Sequence, residues 1–334
     1  MAATILRICL PLVAFILNSS ILSMAIPLEP RAAPLTKSLL LSLISNVNSA
    51  TSASYSLHDS LGQTMDTTKI LQAPEGDYLA VYHSLLSTDN KFHASIATSN
   101  DLKSFVFSAG FGAGTSQPTV ALAGDGGYVV AWEQEPNNHI AVRYYPDRAH
   151  LLAGTATKSF DAPMTLSTCA EGTPSIYSIQ LNPDIEHSVI DIGGHYFRDC
   201  QVDRQQRGKL VNFSSWTTAP RPEVDAAVEV FGVQGNIGDR DALELDDGSL
   251  VQLNEGQFTF GDFGSWRVYL YDFGSGNAER VNIQTRGGST AFANPSVTRI
   301  ISPSGRDAIV VGAFLPSEGA APGEAGQLLY YREF

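Results

Sequence analysis

One strand pattern recurs five times along this chain, and this repetition constrains the fold more than any other feature of the sequence. Each copy begins at a polar residue, continues through a short apolar run and a turn rich in Gly, Asp or Asn, and then enters two further apolar runs. The copies begin at residues 66, 117, 171, 239 and 294. Helical periodicity is scarce after residue 55, so the sequence predicts an all-β protein.

The spacing of the copies matches the length of a propeller blade. Successive starting points lie 51, 54, 68 and 55 residues apart, and a four-stranded blade takes about 40–50 residues before insertions. The fifth copy has room for only three strands, whereas residues 52–57 precede the first copy and read as a strand. We therefore predict a five-bladed β-propeller whose ring is closed by an N-terminal strand, which leaves no free sheet edge there. Strand counts leave a pair of β-sandwiches open as the alternative.

The N-terminus reads as a secretory signal peptide over residues 1–25. Arg7 is its only charged residue, residues 8–22 are almost wholly apolar, and Ser23-Met24-Ala25 fits the small-x-small rule for cleavage. We predict a secreted, extracellular protein in which residues 26–50 form a leader or linker and residues 51–334 form the propeller domain. A short helix is expected over 39–44. No later run is long enough to span a bilayer, so we expect no membrane partner.

The charge balance excludes one class of partner. The chain has 34 acidic residues against 21 Lys and Arg, a net charge of −13 that becomes −14 when the segment with Arg7 is removed. A protein held to nucleic acid by phosphate contacts needs a basic surface. We expect no nucleic-acid partner, and we expect the protein to be a monomer.

Cleavage of the signal peptide also removes Cys9 and leaves two cysteines, Cys169 and Cys200. Two cysteines in an exported chain most simply pair with each other. Cys169 precedes the first strand of the third copy and Cys200 follows the second, so an antiparallel hairpin brings them together at one end. We predict a structural disulfide between them, and N-glycosylation at Asn212 in the triplet Asn212-Phe213-Ser214.

Propeller geometry gathers polar residues of distant segments at one mouth of the central channel. The innermost strands line this channel, so their first residues meet there, and the ends of the second strands lie beside them. The strand starts are Asp66, Gln117, Glu171, Asp239, Arg240, Asp241 and Asn294, and the second-strand ends are His83, Glu133, His195 and Glu255. Each also has a structural interpretation: a turn at Asp66, Asn294 or Glu171, an inter-blade ion-pair network at 239–241, and core histidines at His83 and His195.

Three segments of this pattern resemble the five-bladed glycoside hydrolases of family 43 and the related invertase-type clan. The segment from Ala170 to Tyr177 is similar to the Glu-Gly-Pro or Glu-Ala-Pro opening of their acid-bearing blade, and Met65-Asp66 is similar to the Asp-Pro opening of their first blade. Residues 96–105 are similar to their Ala-x-Ser-x-Asp-Leu-x-x-Trp segment. The resemblance covers about residues 60–334. It departs from the family at Thr173, which is inserted before the proline, and at Thr67, where the family has Pro.

The resemblance implies a hydrolase that acts on neutral glycans with two carboxylates, one protonated and one ionised. By analogy, Glu171 is the general acid, Asp66 is the base that activates water, and Asp241 (or Asp239) raises the pKa of Glu171, with Arg240 fixing that carboxylate or binding a substrate hydroxyl. The family usually places this third carboxylate on an inner strand other than those of the acid and the base; here the second copy offers Gln117 and Thr119, while the fourth copy offers Asp239 or Asp241. The substrate-binding residues are expected to be His83, Gln117, Glu133, His195, Asp239, Arg240, Glu255 and Asn294.

Two other functions remain open at this stage. A propeller mouth lined by acids, amides and aromatic residues such as Trp132 and Trp266 can bind a sugar without cleaving it, as a lectin does. A lyase with His83 or His195 as base is the third possibility, although it needs cations to neutralise a uronic acid. No cofactor is expected. A structural divalent cation among Asp66, Glu133, Asp239 and His195 is conceivable, although no recognised ligand spacing predicts a metal site.

Overall fold

The computed structural model describes residues 33–334, apart from the side chains of Asp239 and Arg240, and it shows a five-bladed β-propeller. Five antiparallel sheets of four strands each form the blades, which confirms the predicted fold. The predicted signal peptide, residues 1–25, lies outside the described residues. Within 33–334, no helix is long and apolar enough to cross a bilayer.

The strands follow the predicted copies in chain order, with four strands to a blade. Blade 1 contains β2 (Asp66–Gln72), β3 (Tyr78–Leu86), β4 (Lys91–Ser99) and β5 (Val106–Ala113), and blade 2 contains β6 (Thr115–Leu122), β7 (Tyr128–Gln134), β8 (His139–Tyr145) and β9 (Lys158–Asp161). Blade 3 contains β10 (Glu171–Leu181), β11 (Ser188–Arg198), β12 (Val202–Val211) and β13 (Ser215–Pro220), and blade 4 contains β14 (Ile237–Glu244), β15 (Leu250–Gln257), β16 (Trp266–Asp272) and β17 (Asn277–Val281). Blade 5 contains β18 (Ala293–Ile301), β19 (Asp307–Leu315), β20 (Gly326–Glu333) and β1 (Ser52–Ser54).

Helices are few and short. The α-helices are α1 (Lys37–Ser45), α2 (Arg148–Leu152) and α3 (Pro222–Glu229), and single 3₁₀ turns occupy Val47–Ser49, Ile185–His187 and Phe263–Ser265.

The hydrophobic core lies between neighbouring blades, because each sheet has an apolar neighbour on both faces. Alternate residues of β3 show this division: Tyr78, Ala80 and Tyr82 pack with Val310 and other apolar residues of blade 5, whereas Leu79 and Val81 pack with apolar residues of blade 2. Side chains on a strand point alternately to opposite faces, so a continuous apolar run is needed wherever both faces are covered. The second strands of blades 1, 2 and 5 accordingly contain unbroken apolar runs, at residues 78–82, 128–132 and 308–315.

The ring is closed by a strand from the other end of the chain. The strand β1 pairs antiparallel with β20, with Ser52 opposite Tyr331 and Ser54 opposite Leu329. The prediction that an N-terminal strand completes the last blade is thus confirmed, although the strand ends at Ser54 rather than at residue 57.

A β-bulge interrupts every inner strand near its start. The residue in the bulge has a positive φ of about 50–56° in four blades, and these residues are Thr67, Gln117, Thr173 and Asn294. In the fourth blade the bulge lies between Asp239 and Asp241. Left-handed backbone is uncommon for residues other than glycine, and bulges redirect side chains. The bulges turn the first residues of the inner strands away from a regular ladder at the channel mouth.

The segment before β1 packs onto the propeller. The Thr36 side chain caps α1, and Leu40, Leu43 and Ile44 are buried in a cluster with apolar residues of blades 4 and 5. The Tyr330 hydroxyl donates a hydrogen bond of 2.5 Å to the Ile44 carbonyl. Sequence analysis expected a leader or linker over 26–50 with a helix over 39–44. The structure describes this segment from residue 33 onward, and there it contributes to the core.

Replacing Leu40 with Ala will lower the free energy of unfolding by about 3 kcal/mol, because the buried side chain leaves a cavity between α1 and the blades. Urea unfolding of the 33–334 fragment measures the change. Ser42→Ala on the exposed side of the same helix is the matched control and should change stability by less than about 0.5 kcal/mol. Equal stability of the two variants would show that α1 is not anchored by its apolar face.

Candidate functional site

An open cavity of about 420 Å³ lies where the starts of the inner strands meet the ends of the second strands. Its polar lining consists of Gln117, Glu133, Asn138, Thr173, His195, Asp203, Asn236, Glu255 and Asn294. Its apolar lining consists of Ala170, Phe197, Phe263, Trp266, Ala293, Phe314 and Pro316. Ligand sites for small molecules are typically of this size and combine apolar walls with a few polar groups.

Strand register explains how these residues meet. The ends of the second strands carry Glu133, His195, Glu255 and Phe314, which pair with Ser116, Gly172, Gly238 and Ala293 on the inner strands of their own blades. In blade 1 the same position is held by His83, opposite Asp66. The repeat thus places one side chain per blade at equivalent points around the mouth.

These side chains also join each blade to the next. The Glu133 carboxylate accepts a hydrogen bond from the N–H of Thr173 at 3.2 Å, and the Glu255 carboxylate accepts one from the N–H of Asn294 at 2.5 Å. In the same way, Nδ1 of His83 accepts from the N–H of Gln117 at 2.9 Å. The donors are the left-handed bulge residues of the following blade. One carboxylate oxygen of each glutamate is thereby fixed in place.

Two glycines lie beneath the glutamate carboxylates. A Cβ atom at Gly172, on the inner strand of the following blade, would overlap the Glu133 carboxylate, and a Cβ atom at Gly238, on the inner strand of the same blade, would overlap the Glu255 carboxylate. The absence of a side chain at these two positions lets the carboxylates lie over the inner-strand backbone as they do here.

The cavity is acidic. Glu133, Asp203 and Glu255 line it, and no lysine or arginine is found among the described residues of its lining. His195 faces Asp203, with Nε2 and Oδ1 3.6 Å apart, while Nδ1 of His195 is buried without a hydrogen-bond partner in the described part of the chain. An anionic ligand would be repelled here. The lyase hypothesis requires cations against a uronic acid, and the described lining supplies none; the side chain of Arg240 lies outside the described part of the structure.

Asp66, the predicted base, lies in a different cavity. It lines a second hollow of about 430 Å³, together with His58 and Thr64. Phe314 borders both cavities. Burial raises the pKa of Asp66, whereas the Thr64 hydroxyl, 3.1 Å away, and His58 oppose that rise.

Glu171, the predicted acid, is buried and is not among the residues that line the mouth cavity. Its Oε1 accepts hydrogen bonds from the backbone N–H groups of Thr165, Leu166 and Ser167 at 2.5, 2.5 and 3.0 Å. A carboxylate with three backbone donors stabilises the loop that holds them. In this placement the Glu171 carboxylate holds the loop 165–167, and its function as general acid stays a prediction.

Asp241, the predicted third carboxylate, forms an ion pair inside the ring. Its carboxylate contacts the Lys69 ammonium of blade 1 and accepts from the N–H of Val297 in blade 5 at 2.8 Å. Burial raises the pKa of Asp241, and the Lys69 ammonium opposes the rise. The inter-blade network that sequence analysis left open thus exists for Asp241. The side chains of Asp239 and Arg240, predicted to bind substrate, lie outside the described part of the structure.

His83 is buried and does not line the mouth cavity. Besides accepting from Gln117, it lies 3.3 Å from the Thr67 hydroxyl and packs against Phe92, with ring centroids 4.5 Å apart. Its surroundings match the core histidine that sequence analysis allowed. Among the predicted site residues with described side chains, the structure brings five into one cavity: Gln117, Glu133, His195, Glu255 and Asn294.

Other predictions concern covalent and metal sites. The disulfide between Cys169 and Cys200 is present and joins the loop before β10 to the turn after β11. Asn212 is exposed in the hairpin between β12 and β13, and its glycosylation stays a prediction. Among the described side chains, which do not include Asp239, no group of three or more His, Cys, Asp or Glu is placed to bind a metal ion. Of the four conceivable cation ligands, Glu133 and His195 line the mouth cavity, Asp66 lines the second cavity, and the side chain of Asp239 is not described.

Sequence analysis missed several cavity residues. Phe314 holds the fifth-blade position equivalent to Glu133 and Glu255, so aligning the five copies could have found it. Asp203 is the second residue of the third strand of its blade, and Asn138 and Asn236 lie in connecting segments. No periodicity marks Asn138 and Asn236, because the connecting segments differ from blade to blade.

Comparisons with known proteins support the fold. No protein-family model and no curated protein sequence matches the chain. Among solved structures, an endo-arabinase from Bacteroides thetaiotaomicron has a TM-score of 0.51 at 12% identity, covering 84% of this chain and 97% of the other. A thermostable family-43 glycoside hydrolase has a TM-score of 0.52 at 10% identity, covering 84% and 91%. A GH62 hydrolase in complex with xylotriose has a TM-score of 0.51 at 10% identity, covering 87% and 97%. The resemblance found in the sequence is thus confirmed for the fold, and the chain has the five-bladed propeller architecture of these glycoside hydrolases.

Proposed function

We propose that the protein binds a neutral glycan in the mouth cavity of the propeller. The observation that carries this proposal is the composition of the lining, in which amides and carboxylates stand beside the aromatic rings of Phe197, Phe263, Trp266 and Phe314. Sugar hydroxyls require several hydrogen-bonding partners, and the C–H face of a sugar ring packs on an aromatic surface. The acidic lining favours a ligand without negative charge.

The structural comparisons agree with this ligand class. The three solved structures named above are glycoside hydrolases, and one of them was determined with xylotriose. We further propose that the protein acts outside the cell, as its N-terminal sequence and its disulfide suggest.

Hydrolysis is a second candidate function, and it would use a different pair of carboxylates from the pair predicted from the sequence. Glu133 and Glu255 come from different blades and line the same cavity, and each is held through one hydrogen bond from the next blade. Glycoside hydrolysis needs two carboxyl groups on either side of the scissile bond, one as acid and the other as base or nucleophile. In this hypothesis Glu133 and Glu255 replace Glu171 and Asp66.

Trp266→Ala will weaken glycan binding about tenfold, because the indole ring lines the cavity and contributes an apolar surface. Isothermal titration calorimetry with xylotriose and with arabino-oligosaccharides of similar length measures the affinity. The matched control is Trp216→Phe, since Trp216 belongs to an outer strand and does not line the cavity. Equal losses in the two variants would point to a folding defect, and absence of binding by the unaltered protein to a panel of neutral oligosaccharides would overturn the proposal.

Catalysis is tested separately from binding. If the protein is a hydrolase, Glu133→Gln and Glu255→Gln should each reduce reducing-end release at least about a hundredfold while xylotriose affinity changes little. Glu244→Gln, at the exposed far end of β14, is the control and should leave turnover unchanged. Glycan binding without any release of reducing ends would identify the protein as a non-catalytic binder.

A further inference from the structure

A rigid aromatic loop forms one wall of the mouth cavity and continues beyond it. The loop spans residues 258–265, between β15 and β16, and carries Phe260 and Phe263. Phe260 is 58% exposed and Phe263 is 55% exposed, and Phe263 also lines the cavity. Single exposed apolar residues are common, but two phenylalanines on one short loop that continues a cavity wall need an explanation.

Hydrogen bonds hold this loop in shape without a ligand. The Asp262 carboxylate accepts from the N–H of Gly264 at 2.9 Å, and the Ser265 hydroxyl donates to the Asp262 carbonyl at 2.7 Å. The Gln257 side-chain amide donates to the same carbonyl at 3.2 Å, and the Ser265 hydroxyl oxygen accepts from the N–H of Thr259. These hydrogen bonds hold the backbone of the loop in place. Flexibility of the loop therefore does not explain why the two phenyl rings are exposed to water.

We propose that Phe260 and Phe263 form an outer platform for a glycan chain that is longer than the mouth cavity. The inference rests on the proposed function and narrows its ligand class from any neutral sugar to an extended one. One sugar unit of the chain occupies the cavity against Trp266, and the following units pack on the two exposed rings. A preformed platform costs little conformational entropy on binding, so its surface adds directly to affinity.

Charge and position favour a glycan over other occupants of this surface. The platform continues a cavity whose described lining has three carboxylates and no cationic side chain, and the chain has a net charge of −13. The carboxylates of the cavity lining disfavour an anionic chain that would enter the cavity from this platform. Two arginines lie at the base of the loop: Arg267 donates to the carbonyls of Gly264 and Trp266, and Arg267 and Arg280 both lie over the Phe258 ring.

The test compares ligands of increasing length. Affinity is measured by calorimetry for xylose, xylotriose and xylohexaose, and by gel retardation in soluble xylan, arabinan and mixed-linkage glucan. We expect affinity to rise with chain length in the unaltered protein. In the double variant Phe260→Ala/Phe263→Ala, we expect affinity for the polymers and the hexaose to fall about tenfold. In the single variant Phe260→Ala, whose ring does not line the cavity, we expect affinity for the shortest ligand that binds to change less than twofold. Val106→Ala, 57% exposed on an outer strand of blade 1, is the matched control.

Each outcome separates this inference from the proposed function. If the unaltered protein binds short and long ligands equally and the double variant binds them equally well, the proposed platform is wrong, whereas the proposal of glycan binding in the mouth cavity is supported. If no neutral glycan binds, both proposals fail. If the double variant instead loses self-association in sedimentation-velocity experiments, the surface is a contact between two copies and the platform is overturned. Thermal unfolding of the double variant verifies that it is folded, because exposed side chains contribute little to stability.

Discussion

Replacing Asp241 with Asn will lower the free energy of unfolding by about 3–5 kcal/mol. The Asp241 and Lys69 side chains are only 5% and 14% exposed, so the substitution leaves an ammonium group buried without its counter-charge. The amide oxygen of Asn can still accept from the N–H of Val297, which isolates the effect of the lost charge. Urea unfolding at pH 7 gives the change in free energy.

Two comparisons make this prediction specific. The double variant Lys69→Met/Asp241→Asn should recover most of the loss, because replacing both members of a buried pair is often nearly neutral. Glu135→Gln, which breaks the exposed pair with Lys91, should cost less than about 1 kcal/mol. If Asp241→Asn unfolds like the unaltered protein and loses only activity, Asp241 tunes a catalytic acid, as the family resemblance implies.

Asp225→Asn will make the protein more stable at pH 8 and will remove a pH dependence. Burial raises the pKa of Asp225 from 3.8 to about 7 in the folded protein, although the N–H of Gln205 and the charge of Arg204 oppose the rise. Between these two values the folded state retains a proton that the unfolded state has lost, so stability decreases as the pH rises through this window. Above pH 7 the buried Asp225 carboxylate is ionised and lowers the free energy of unfolding by its full amount, about 4 kcal/mol at about 1.4 kcal/mol per pKa unit.

Urea unfolding at pH 4 and at pH 8 tests this expectation. The variant and the unaltered protein should differ little at pH 4 and by about 4 kcal/mol at pH 8, with the variant the more stable. Asp247→Asn is a useful control, because hydrogen bonds from the Ser249 hydroxyl and N–H lower the pKa of this exposed carboxyl, so its small effect has the opposite sign. A constant difference between Asp225→Asn and the unaltered protein at both pH values would contradict the prediction.

The fold was predictable because its determinants are local and repeated. Each blade needs strands of similar length and second strands that are apolar on both faces, as residues 78–82 are, and both features are visible in the sequence. The disulfide was predictable from the same hairpin. The packing of α1 was not, because an apolar stripe that contains Leu40 and Ile44 does not show which surface will cover it.

The site was predictable only in part, since a strand position does not determine where a side chain points. The register brought Glu133, His195 and Glu255 to the mouth as expected. Glu171 holds an equivalent strand start, yet its carboxylate turns to the N–H groups of residues 165–167. The orientation of the Glu171 side chain depends on the conformation of this loop and on a left-handed bulge at Thr173, and neither produces a periodic pattern in the sequence.

The pairing of β1 with β20 has a consequence for biosynthesis. The strands β1 and β20 belong to the same sheet, so the fifth blade cannot be completed until β20 has been synthesised. Four blades can assemble during elongation, whereas residues 52–54 stay unpaired until the residues that pair with them, about 275 positions later in the sequence, have been synthesised. Ring closure therefore follows the synthesis of β20, and until then the nascent protein presents an open sheet edge that a chaperone or a second nascent chain can bind.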